Sequence, residues 1–261
     1  MRRHLLAACS IAVLLTSSVS AQQPLAAAPS TPQFFSRYDF RLSAAALWGA
    51  DERFSWDTYW GGDIDVFDYV VGRTSTILDY EAVLGSEFRA FDPTQGNYIL
   101  EVSSSYRAGK TEVAGIFHHV SRHLSDRPKR FAIAWNILGA RLLRQATVGP
   151  STIEIVADAG WATQHAHVDY KWAANADAVI RRQVNPRVAV FARGTGHLIG
   201  VRPEDRSRGT QAGANVEGGV RLNGERGAAE LFAGFERRID ADPLDFKPQR
   251  WFTLGFRLLR R

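Results

Sequence analysis

From Phe35 almost to the last residue, apolar and polar side chains alternate one by one. That period of two constrains this chain more than any other feature. In "YDFRLSAAALW", Tyr38, Phe40, Leu42, Ala44 and Ala46 fall on one face, and Arg37, Asp39, Arg41 and Ser43 on the other. "STILDYEAVLGSEFRAF" sets Leu78, Tyr80, Ala82, Leu84 and Phe88 against Asp79, Glu81, Glu87 and Arg89. "NYILEVSSSYR" sets Tyr98, Leu100, Val102 and Tyr106 against Glu101, Ser103, Ser105 and Arg107. The pattern persists through Arg193, Glu217, Arg221, Glu236 and Arg238 to "RWFTLGFRLL" near the C-terminus. Such alternation marks strands with one apolar face, and it predicts about twelve of them with almost no helix.

Two architectures bury an apolar face on strands of this kind. A water-soluble β-protein turns it inward; a transmembrane barrel turns it out to lipid. In hydrocarbon every backbone N–H and C=O needs an internal partner, and a closed sheet supplies them all. The connectors favour the barrel. "GRTS", "AGK", "VGPS", "VNPR" and "NGERG" are short turns, and they alternate with longer polar stretches such as "FDPTQGN", "HLSDRPKR", "VRPEDRSRG" and "DADPLDFKPQ". Residues 50–62, "ADERFSWDTYWGG", read as another long loop, and the wider stretch 51–69 mixes acids with aromatics, as a loop resting on the headgroups or folding over the mouth does. Short turns at one end and long loops at the other describe an up-and-down antiparallel transmembrane β-barrel. Trp48, Trp135, Trp161, Trp172, Tyr98 and Tyr170 fall near strand ends, where interfacial aromatic girdles lie. A soluble periplasmic β-protein is the alternative. The polar face forms an expected lumen network of Asp79, Glu81, Glu87, Arg89, Glu101, Ser103, Arg107, Arg193, Glu217, Arg221, Glu236 and Arg238.

The N-terminus reads as an export signal. Arg2 and Arg3 precede an apolar run from Leu5 to Leu15, and Val19-Ser20-Ala21 offers a small-residue cleavage site. "LAAC" at Leu6 to Cys9 also resembles a lipobox, but it comes too early in the apolar run. The expected organisation is a signal peptide at 1–21, a Pro/Ala-rich lead-in at 22–34 and one barrel domain at 35–261. Cleavage removes Cys9, the only cysteine, so disulfides play no part. Against 32 Lys and Arg stand 27 Asp and Glu, a mixed surface rather than the footprint of a nucleic-acid binder. The expected location is the outer membrane of a Gram-negative cell, with membrane lipid and lipopolysaccharide as partners.

The chain resembles Gram-negative outer-membrane β-barrels as a class over roughly residues 35–261, although it ends Leu259-Arg260-Arg261 and not on an aromatic residue. One stretch carries a narrower resemblance. "HVS", His119 to Ser121, looks like the His-x-Ser of outer-membrane phospholipase A and of the lipid A deacylase barrels. "WN", Trp135 and Asn136, stands on the next expected strand. The resemblance implies Ser121 as nucleophile, His119 as base and Asn136 as the residue that orients the base. "HVSRHLSD" also matches an uncharacterised barrel group with His-x-Ser-x-His-Leu-x-Asp, which implies no activity. No cofactor is called for, except Ca²⁺ under the hydrolase reading. His119 and His123 carry a helical metal-site spacing on what reads as a strand or loop, so no metal site is assigned.

The face assignment separates two functions. Phe131, Ile133, Trp135 and Ile137 form the apolar face of their strand, which predicts that Asn136 points into the lumen with His119 and Ser121. That expectation favours a non-enzymatic barrel, a narrow channel or structural surface protein with a charged lumen. A lipid hydrolase instead requires the three residues to face lipid.

Overall fold

The computed structural model describes residues 28–260 apart from 126 and 128. The expected signal peptide and residues 22–27 of the lead-in lie outside the described residues, and the last two residues of the lead-in, Gln33 and Phe34, already belong to β1. The chain forms twelve antiparallel strands: β1 (Gln33–Trp48), β2 (Trp56–Asp68), β3 (Arg73–Gly85), β4 (Asp92–Ala108), β5 (Thr111–Leu124), β6 (Ile133–Val148), β7 (Ser151–Ala166), β8 (Tyr170–Asn185), β9 (Val188–Val201), β10 (Gln211–Asn223), β11 (Gly227–Arg238) and β12 (Gln249–Arg260). Each pairs with its sequence neighbours, and β1 pairs with β12 to close the barrel. Closure removes the free edges that an open sheet would expose. At one end the turns are tight, and Gly109 and Gly149 supply the positive φ (63° and 57°) that two of them need.

Ionised side chains fill the middle and turn end of the lumen, and apolar ones coat the exterior. Leu78, Leu138, Leu231, Phe235, Phe252 and Leu254 are exposed on the outside. This is the reverse of what a water-soluble β-protein requires, and it gives the belt that lipid demands. Inside, Arg73 meets Asp65 at 3.0 Å and Glu112 at 2.8 Å. Arg41 bonds Asp63 at 2.9 Å and also reaches Asp79. Arg257 joins Glu217 and Glu230 at 2.9 and 2.7 Å. Some pairs cross the lumen, as Arg238 on β11 does to Glu81 on β3 at 2.9 Å. A buried charge left alone costs several kcal/mol, so this lumen is stable only because its charges are paired.

Towards the loop end the interior becomes apolar. Ile133, Ile137, Tyr170, Ala173, Ile199 and Val201 pack around Ile239, with Trp135 and Leu244 against them. On the other wall Leu47, Phe54, Val83 and Trp251 pack around Ala241. Residues 239–248, between β11 and β12, thus fold into the mouth and seal it. Asp240 holds two nitrogens of Arg208 at 2.7 and 2.8 Å, and Asp242 takes Arg127 at 2.7 Å. Burial works against the Arg208 charge, but hydrogen bonds and attraction from Asp240 and Asp169 outweigh it and raise its pKa above the usual arginine value. Below this seal lies a cavity of about 120 Å³ whose lining includes Glu101, His118, Arg141, Asn175 and His197.

Two expectations about the elements are corrected. The stretch expected as a loop at 50–62 is mostly strand, since β2 begins at Trp56 and only residues 49–55 connect it to β1. Of the acids in 51–69, Asp57, Asp63 and Asp65 stand on β2 and face inward to Arg238, Arg41 and Arg37. The segment that folds over the mouth is 239–248. Glu87 and Arg89 lie outside the lumen network because β3 ends at Gly85. Glu87 pairs with Arg127 among the loops, and the exposed Arg89 pairs with Asp92. The remaining expected network residues, Asp79, Glu81, Glu101, Ser103, Arg107, Arg193, Glu217, Arg221, Glu236 and Arg238, are buried or half-buried. Arg107 sits at the turn end, on Asp68 at 2.8 Å.

Candidate functional site

The antiparallel pair β5–β6 carries the His-x-Ser and Trp-Asn residues. Its faces are decided by its neighbours. On β5, Phe117 is 39% exposed while Ile116 and Val120 are 3% and 6% exposed, so odd-numbered residues face out. On β6, Leu138 is 58% exposed and Ile137 only 6%, so even-numbered residues face out. His119, Ser121 and Asn136 therefore all point away from the lumen, with His123 beside them. This corrects the expected inward placement. The apolar Ile133, Trp135 and Ile137 face inward because Ile239 and Leu244 bring an apolar plug to the mouth.

Register brings the groups together. His119 lies directly opposite Asn136, and Ser121 opposite Tyr98 on β4. His119 Nδ1 and Asn136 Oδ1 are 2.6 Å apart. Since an amide oxygen only accepts, Nδ1 carries the proton in this contact and Nε2 presents a lone pair. The Asn136 amide nitrogen donates to Gln164 Oε1 on β7 at 2.8 Å. Ser121 Oγ and His123 Nε2 are 3.1 Å apart. Ser121 thus sits between two imidazoles, one two residues behind and one two ahead on the same face. A staggered χ1 change swings its hydroxyl from one towards the other.

Aromatic rings adjoin the serine. Tyr98 is exposed, contacts Tyr80 with ring centres 5.0 Å apart, and meets His123 edge-on at 5.2 Å. Trp60 follows Tyr80 at 5.7 Å. Ser121 is three residues from the loop end of β5. An aromatic cluster near strand ends belongs at the headgroup level of a bilayer, where an ester and a water molecule can both reach a hydroxyl. Leu100 stands level with His119 on β4, and Phe117 and Leu138 pair one step further from the loops, so the three supply apolar surface beside the site.

The adjacent His118 points the other way. Its Nδ1 is 3.1 Å from Glu101, which also binds Arg141 at 2.7 Å, so it belongs to the lumen network. Among the described residues no three His, Cys, Asp or Glu side chains are grouped to hold a metal ion. Gln164 was not singled out from the sequence. Its place opposite Asn136 depends on an irregularity in β6–β7 pairing, which no local pattern announces.

No protein family matches the chain in sequence, and no curated protein does. Solved structures match it in fold. An outer-membrane channel of Pseudomonas putida F1 is 11% identical, with 85% of this chain and 92% of that one covered and a TM-score of 0.53. Outer-membrane phospholipase A of Escherichia coli is 10% identical, with coverage of 93% and 95% and a TM-score of 0.51. The calcium-bound dimer of the Salmonella typhi outer-membrane phospholipase is 11% identical, with coverage of 89% and 93% and a TM-score of 0.51. This chain has the fold of outer-membrane β-barrels. At such identities the likeness concerns the fold alone.

Proposed function

We propose that the protein is an outer-membrane lipid hydrolase that cleaves acyl esters of phospholipid or lipid A in the outer leaflet, with Ser121 as nucleophile, His119 as general base and Asn136 as the residue that orients the base. One observation carries the reading: the 2.6 Å contact between His119 Nδ1 and Asn136 Oδ1, on the lipid-facing side of the barrel and on the same face as Ser121. A serine hydroxyl needs an adjacent imidazole to accept its proton, and the imidazole needs its tautomer fixed.

In this reaction Ser121 Oγ attacks the ester carbonyl carbon, and its proton passes to His119 Nε2. Asn136 Oδ1 holds Nδ1–H throughout. The tetrahedral adduct collapses and the leaving alcohol takes the proton from Nε2. A water molecule, deprotonated by Nε2, then releases the fatty acid and restores the serine. Tyr98 and its aromatic neighbours anchor the site at the headgroup level, and the Leu100–Phe117–Leu138 surface supports the acyl chain. Calcium is bound in the Salmonella typhi phospholipase structure. Among the described residues of this chain no three His, Cys, Asp or Glu side chains are grouped to hold it.

A narrow channel is the second reading, favoured by the fold likeness to the Pseudomonas putida channel. The ion pairs across the lumen and the apolar seal of residues 239–248 support a closed scaffold over a conduit. The deciding assay is fatty-acid release from phospholipid and from lipid A by the folded barrel, with calcium and with chelator. Release by the wild type and its loss in Ser121→Ala is the expected result. No release from either lipid in either condition contradicts the proposal.

A further inference from the structure

We infer that Gln164 is a positioning residue for this site: it fixes the Asn136 amide, and through it the tautomer of His119. The inference rests on the hydrolase reading and deepens it.

An asparagine amide can present either end to a neighbour, and the two ends have opposite consequences here. With Oδ1 towards His119, the ring is protonated on Nδ1 and Nε2 is free to accept the serine proton. With Nδ2–H towards His119, Nδ1 must accept, the proton moves to Nε2, and the base is lost. What selects the end is the partner on the far side of the amide. Gln164 offers its carbonyl oxygen to Asn136 Nδ2 at 2.8 Å, which turns Oδ1 to His119.

The backbone is built to place that partner. Asn136 pairs with Gln164, but the next residue, Ile137, pairs with Ala162, so β7 carries one extra residue, Thr163, at this level. A bulge of this kind re-aims side chains. In uninterrupted register Thr163 would stand opposite Asn136. With the bulge, Thr163 and Gln164 are both exposed beside it, and Thr163 Oγ1 approaches the Asn136 carbonyl at 3.5 Å. An amide on the exterior of a barrel is costly to keep, and here its oxygen accepts an N–H of the Asn136 amide nitrogen.

The test is ¹⁵N NMR of histidine-labelled protein, folded in detergent micelles at a pH where imidazoles are neutral. The His119 signals are assigned by their loss in His119→Gln. In the wild type, His119 should carry its proton on Nδ1. In Gln164→Ala it should shift to the ordinary Nε2–H form or average between the two, and kcat should fall about 10- to 100-fold with KM within about twofold, as for a displaced catalytic group. Gln164→Glu, which keeps an acceptor and removes the donor, should retain the wild-type tautomer and rate. A wild-type His119 protonated on Nε2, or one unchanged in Gln164→Ala, overturns the inference, as does loss of the tautomer in Gln164→Glu. Because the NMR signal needs no turnover, an inactive wild type would sink the hydrolase reading while the tautomer still decided the role of Gln164.

Discussion

His118 and His119 are adjacent in the chain and belong to different regions of the molecule. His118 faces the lumen, where it bonds Glu101 inside a network whose every partner is another part of the wall. His119 faces out, where its Nδ1 meets the Asn136 amide oxygen at 2.6 Å. The inner ionic groups hold the barrel shut. The outer polar groups stand at the headgroup edge of the apolar belt and hold no part of the wall together. Polar groups that cost free energy and stabilise nothing nearby are where function is expected.

The comparison is broken most sharply on the outer face. Ser121→Ala should lower lipid hydrolysis by about 10³-fold or more, the size seen when a nucleophile is removed, and leave the urea unfolding midpoint unchanged. His119→Gln should cost about 10²-fold or more through loss of the general base, while His118→Gln one position away should leave the rate within about twofold. His123→Gln separates the two imidazoles beside Ser121. A loss smaller than that of His119→Gln is expected, and a larger one would make His123 the base.

The inner face should answer in stability. Glu101→Ala leaves the buried Arg141 with Asp158 at 3.7 Å as its nearer remaining carboxylate, and breaking such a buried pair costs up to about 3–5 kcal/mol. Urea unfolding should show that loss, while the rate per folded molecule stays near wild type. Loss of activity without loss of stability would dissolve the division between the faces.

Much of this division was open to reading in the sequence. Strict alternation marks twelve strands because a barrel wall has two different solvents, lipid outside and paired charge within. It failed where a third environment intrudes. At the loop end the interior is apolar, since Ile239 and Leu244 arrive there from about 90 residues beyond the end of β6. Ile133, Trp135 and Ile137 therefore face inward, and a rule that sends apolar side chains to lipid turns Asn136 the wrong way. The acids of β2 were misread for a related reason: their partners Arg37, Arg41 and Arg238 lie on β1 and β11. Gln164 stayed hidden because a bulge exists only in relation to the partner strand.

The loops predict smaller effects. Asp240→Asn weakens the double contact with Arg208 and should raise the rate of proteolysis within 239–248, with hydrolysis unchanged. His167 stacks on Phe131 with ring centres 4.2 Å apart. Burial, then the charges of Arg206 and Lys129, push its pKa below the usual value near 6.5. Since the folded state disfavours the proton, its contribution is full above pH ~6.5 and is lost as pH falls through the lower folded value. Proteolysis of the loops should rise slightly between pH 7 and pH 5, and His167→Gln should remove that dependence.

The central claim is tested most directly by a long-chain alkyl sulfonyl fluoride, which reacts only with an activated hydroxyl it can reach from the lipid side. After treatment of the folded barrel in detergent, peptide mass spectrometry locates the adduct. Modification of Ser121 in the wild type, and its absence in His119→Gln, is the predicted result. An unmodified Ser121, or one modified equally in both proteins, would contradict the account.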